Sequence, residues 1–167
     1  SLQQPVKSIM HQRLLTLALT LLSVVLAHAQ QPSKLELKPG EHIAIIGNTL
    51  PDRMQHDAYF ETLIQAKLPQ HDLVFRNLAA AGDEVTTRSR SANFGTPDEW
   101  LTKVQADVIF AYFGFNESFK GYDGLNQFKA ELGLFLKETK AKNYSGRGNP
   151  RIVLFSPIAN EKMRDPN

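Results

Sequence analysis

Short apolar runs recur along the chain and are not broken by polar alternation. His42-Ile43-Ala44-Ile45-Ile46-Gly47 and Asp107-Val108-Ile109-Phe110-Ala111-Tyr112-Phe113-Gly114 are the clearest, each closed by glycine. Asp72–Leu78 and Arg151–Ser156 are less uniformly apolar versions without a closing glycine. A strand with no polar side is buried on both faces, a condition that parallel strands meet when helices cover both sides of a sheet. The intervening segments carry a helical period. Asp57–Leu68 spaces Tyr59, Phe60, Leu63, Ile64 and Leu68 along one face and is stopped by Pro69. Thr96-Pro97-Asp98-Glu99 is a helix start with a threonine cap, proline at the first helical position and glutamate at the third, leading into Trp100, Leu101 and Val104. Asp123–Lys142 places Leu125, Phe128, Leu132, Phe135 and Leu136 together. Strands alternating with helices predict a three-layer α/β/α fold with a parallel sheet.

Right-handed crossovers put all strand-to-helix loops at one edge of such a sheet, and ligands bind beyond the carboxyl ends of the strands. Functional residues are therefore expected just after Ile46, Leu78, Phe113 and Phe155. The loops there read Gly47-Asn48-Thr49, Ala80-Ala81-Gly82-Asp83 and Gly114-Phe115-Asn116-Glu117.

In the order and spacing of these loops the chain resembles the SGNH/GDSL hydrolases from about Glu41 onward. That family has a serine nucleophile in a Gly-Asp-Ser block, an oxyanion glycine in a second block and an oxyanion asparagine in a Gly-x-Asn-Asp block. Its histidine belongs to a later Asp-x-x-His block. The resemblance implies a flavodoxin-like SGNH fold, incomplete at the C-terminus, with Gly82 and Asn116 as the oxyanion hole and Thr49 at the nucleophile position. Asn48, Phe115 and Glu117 would then face the substrate. Gly82 also fits an ordinary turn glycine, and Asn116 an Asx-turn residue.

The departure is at the nucleophile. Asn48-Thr49 stands where the family has Asp-Ser. A threonine hydroxyl attacks when a base activates it, but its methyl restricts χ1. The other reading of Thr49 is a polar residue capping the next segment. His42 and His71 open strands at the opposite edge, whereas His56 lies on the functional side just before a helix. It reads better as a helix-entry group than as a general base. An acid–histidine pair is expected downstream of Asn167, and residues 30–167 alone are expected to hydrolyse esters negligibly. Phe115, Phe119 and Tyr122 can wall a pocket, though packing is the commoner use of loop aromatics. Arg53, Arg88 and Arg90 can meet an anion, though surface arginines are usually solvated. Asp83 and Glu84 are expected to fix their loop by local hydrogen bonds.

Composition narrows the partners. Arg13, the apolar run Leu14–Leu26 and Ala27-His28-Ala29 describe a secretory signal, residues 1–29, with residues 1–9 as an upstream extension. The run falls short of the about 20 residues that cross a bilayer, and a signal anchor is the alternative. Residues 30–40 read as a linker and 41–167 as the hydrolase-like domain. Lys7 and Arg13 leave with the signal, so 17 of the 19 basic groups remain against 17 acidic ones. No basic stripe survives for nucleic acid. The chain has no cysteine, which excludes disulfides and thiolate chemistry; no metal-ligand spacing occurs, and no cofactor is implied. The expected function is an exported, periplasmic or extracellular hydrolase acting on acyl or acetyl esters of carbohydrate or lipid. The alternative is a non-catalytic module that keeps the cleft for small ester or glycan ligands, with further domains fused downstream.

Overall fold

The structure, a computed structural model, describes residues 34–158. The expected signal segment and the last nine residues lie outside that range. Residues 34–40 carry no helix or strand, and the fold occupies the compact unit that begins at Leu37.

Four strands, β1 (His42–Gly47), β2 (Val74–Asn77), β3 (Val108–Tyr112) and β4 (Arg151–Phe155), form one sheet in the order β2-β1-β3-β4. Every pairing is parallel, with Ile43 opposite both Phe75 and Val108, and Val108 opposite Arg151. The helices are α1 (Thr49–Asp57), α2 (Tyr59–Lys67), α3 (Pro97–Lys103) and α4 (Leu125–Lys140). Two 3-10 turns, Glu117–Lys120 and Tyr122–Gly124, precede α4. The α/β expectation from continuous apolar strands is thus met.

Both faces of the sheet are covered, as that argument requires. β1 is buried from Ile43 to Gly47 and β3 along its whole length. One face carries Ala44, Ile46, Ile109 and Ala111, packed with Leu101 and, from α4, Phe128, Leu132 and Phe135. Alternate residues point the other way, where Phe60 of α2 meets Phe110 and Phe155 edge-on at 5.9 and 6.0 Å.

One helix of the sequence reading becomes two. The chain is already helical from Thr49, and α1 ends at Ala58, a left-handed residue with φ 48° from which α2 departs. Thr49–Asp57 is polar with Pro51 inside it, so it shows no apolar stripe. Pro51 is tolerated because the first turn has N–H groups without intrahelical acceptors. His56 therefore lies in the last turn of α1, not before a helix, and is exposed. At α3 the capping box forms as read: Thr96 Oγ1 accepts from the Glu99 N–H and the Glu99 carboxylate accepts from the Thr96 N–H.

Candidate functional site

The carboxyl ends of β1, β2 and β3 are tied together by their loops. Gly47 ends β1 with φ 133°, and a Cβ there would meet the Tyr112 carbonyl oxygen at 2.2 Å. Only glycine permits that approach. The Asn48 N–H then donates to the Tyr112 carbonyl at 3.2 Å, and the Ala80 N–H donates to the Gly47 carbonyl at 3.2 Å. The third tie comes from Asn116, whose Nδ2 donates to the Asp83 carbonyl at 3.1 Å. Glu117 adds a fourth: it is buried, and its two carboxylate oxygens accept from the Val85 and Gly114 N–H groups, each at 2.9 Å.

Each site residue expected from the sequence has a defined place in this edge. Asn48 is buried and caps α1, its Oδ1 accepting from the Leu50 N–H at 3.3 Å. The capping role read as an alternative for Thr49 belongs to Asn48. Thr49 is instead the first residue of α1, half-buried, and its hydroxyl has no hydrogen-bond partner among the described residues. Asn48, Thr49 and Phe115 line one cleft of about 260 Å³. Gly82 and Asn116 are not part of that lining; they belong to the loops beside it, joined by the Asn116–Asp83 bond. Gly82 is exposed with φ 87°, an added Cβ would meet nothing within 4 Å, and its N–H makes no bond among the described residues. Its glycine identity answers a backbone angle, not crowding. Asn116 spends one amide N–H on Asp83 and keeps a second. Glu117 faces the loop backbone with both oxygens.

The cleft is mostly apolar, lined with Leu50, Tyr112, Phe113, Phe155, Pro157 and Ile158 alongside Thr49. Tyr112 and Phe155 stack at 4.2 Å and 10° on its floor. Burial pushes the Tyr112 phenol up to about 12, so it stays protonated at neutral pH. Arg53 and Ser156 supply the remaining polar groups, and no histidine or carboxylate lines the cleft among the described residues. The sequence reading did not single out Tyr112, Phe155 or Ser156, although Ser156 follows the β4 run where the strand-end rule points.

Two side readings change. Phe119 and Tyr122 are 78% and 94% exposed, so neither packs into the core. Arg88 is not a solvated surface arginine: its guanidinium lies 5.1 and 5.6 Å from the Phe113 and Phe135 rings. Asp83 does fix its loop, through a bidentate pair with Arg90 at 2.7 Å on both oxygens. That hydrogen-bonded carboxylate raises the Arg90 guanidinium above its ordinary value. Among the described residues no cluster of three metal-ligating side chains occurs, and no helix is long and apolar enough to cross a membrane.

No family model and no curated protein matches the chain. In fold it is similar to the crystal structure of the psychrotrophic esterase EstA from Pseudoalteromonas sp., inhibited by monoethylphosphonate. The TM-score is 0.50 at 18% identity, covering 70% of this chain. The chain spans 61% of that structure's length. At this identity the likeness is one of fold alone.

Proposed function

We propose that this chain is an exported ester hydrolase domain, with Thr49 at the nucleophile position and Gly82 and Asn116 as oxyanion donors. The observation that carries the reading is a Thr49 hydroxyl with no hydrogen-bond partner among the described residues, in an apolar cleft beside two loops cross-tied by Asn116. Its fold neighbour is an esterase, and the loop order resembles the SGNH/GDSL pattern. In the reaction, Thr49 Oγ1 bonds to the ester carbonyl carbon and its proton passes to a base. The carbonyl oxygen becomes an oxyanion, held by the Gly82 N–H and the second Asn116 N–H. Collapse expels the alkoxide, which takes the proton from the base and leaves as an alcohol. Water then cleaves the acyl–threonine ester to the carboxylic acid. The acyl body would occupy the apolar wall formed by Phe115 and the Tyr112–Phe155 stack. The base would come from outside the described residues.

That last point favours a second reading: a ligand-binding module with the same cleft and no turnover. Hydrolysis of short-chain aryl esters by the protein in its natural full length separates the two. As a hydrolase it should lose about 10³-fold or more in Thr49→Ala and about 10²–10³-fold in Asn116→Ala. Ester binding without turnover, indifferent to Thr49→Ala and weakened by Asn116→Ala, supports the module. Turnover undiminished in Thr49→Ala overturns the assignment of the nucleophile.

A further inference from the structure

A second cleft, of about 440 Å³, opens beside the end of β2, and its lining includes Asp83, Arg88, Arg90, Phe94, Pro97 and Trp100. Its volume is within the roughly 300–1,000 Å³ of small-molecule sites. Its charge balance is unusual. Arg88 is the one cation here without a carboxylate partner among the described residues. Among the described residues its five N–H donors form one hydrogen bond, a long one of 3.5 Å from Nη2 to the Val85 carbonyl, and the buried Nε forms none. The nearby carboxylates are engaged by other groups, Asp83 within the cleft itself. Asp83 is held by Arg90 on both oxygens, and Asp98 by the Tyr144 hydroxyl at 2.6 Å and Lys142 at 2.8 Å. Burial pushes the Arg88 guanidinium below its ordinary value, and the charge of Asp83 opposes that shift without reversing it.

Apolar groups complete the wall. Phe94 and Trp100 lie 5.0 Å apart at 31°, fixed by the indole N–H donating to the Phe94 carbonyl at 2.7 Å. Phe94 is still 44% exposed. An under-bonded guanidinium beside exposed aromatic surface suits a ligand with a charged end and an apolar body.

We propose that this cleft binds a carboxylate carried on a compact apolar body, with Arg88 receiving the carboxylate and the Phe94–Trp100 pair covering the body. The site is separate from the Thr49 cleft and does not rest on ester hydrolysis.

Trp100 is the only tryptophan in the chain, so fluorescence excited selectively at tryptophan, beyond the tyrosine absorption, reports on this cleft. Titration with cyclohexanecarboxylate should give a saturable change with a midpoint at millimolar concentration or below. Its neutral isostere cyclohexanecarboxamide, and acetate, which lacks the body, should each bind about tenfold or more weakly. Arg88→Gln should lose the preference for carboxylate over carboxamide. Arg88 is packed between two rings, so that variant is checked by circular dichroism. Phe94→Ala, which leaves the arginine and the Phe94 carbonyl in place, should weaken cyclohexanecarboxylate but not acetate. Equal affinity for acid and amide, or no saturable change with the acid, overturns the proposal. So does an acid preference that survives in folded Arg88→Gln.

Discussion

An added Cβ at Gly47 would lie 2.2 Å from the Tyr112 carbonyl oxygen, whereas one at Gly82 would meet nothing within 4 Å. Both residues have positive φ, 133° and 87°, so alanine strains the backbone at either place. Only Gly47 adds a clash with a central strand. Gly82→Ala should therefore cost about 1–2 kcal/mol, and Gly47→Ala about 3 kcal/mol or more, with β1 and β3 forced apart. Urea denaturation measures both, and equal midpoints would contradict the difference. The contrast also bears on function. Gly82→Ala keeps the N–H that the oxyanion assignment uses, so activity should fall far less than in Asn116→Ala.

At the scale of elements, α3 is anchored to the loop after α4 through one carboxylate. Asp98 accepts from the Tyr144 hydroxyl and pairs with Lys142. Burial alone would raise the Asp98 carboxyl, but the hydrogen bonds from Lys142 and Tyr144 prevail and hold it below its ordinary value. A carboxyl depressed on folding contributes stability above its unfolded pKa and loses it as pH falls through the folded one. Tyr144→Phe should cost about 1 kcal/mol at neutral pH. The gap from wild type should narrow below the ordinary carboxylate range, as denaturation midpoints across pH would show. A gap constant with pH would mean that the hydroxyl contributes independently of the charge on Asp98.

Residues differ in how far they announce such roles. Thr96, Pro97 and Glu99 declare their helix end because capping is local chemistry. The continuous burial of Ile43–Ile46 and Val108–Phe113 declares the parallel sheet because two covered faces leave no polar alternation. α1 was hidden because its sequence has no stripe; it is held by the Asn48 cap and by Pro51 packed inside. Arg88 was hidden for the opposite reason. A charged loop residue looks solvated until distant aromatic side chains, here Phe113 and Phe135, pack against it. The Thr49 loop was found by position, but its partners Tyr112 and Phe155 read only as strand core.

Across the whole molecule, the core and the candidate cleft share side chains. Phe60 touches Phe110 and Phe155, Phe155 stacks on Tyr112, and those last two form the floor beneath Thr49. An α2 residue outside the cleft lining is thus one contact from the proposed acyl wall. Phe60→Ala should cost about 3 kcal/mol from lost burial and the cavity left behind. Phe155 loses an edge-on neighbour in that variant and can turn toward the space. Interiors are packed densely enough for such a shift to be felt at the next ring. The expectation is that Phe60→Ala, assayed well below its melting temperature, raises KM for longer acyl esters more than for acetyl esters. A conservative Phe60→Leu should restore most of both stability and chain-length preference. Lost stability with an unaltered acyl preference would show that the Tyr112–Phe155 floor holds its shape without α2, and would separate the cleft from the core that supports it.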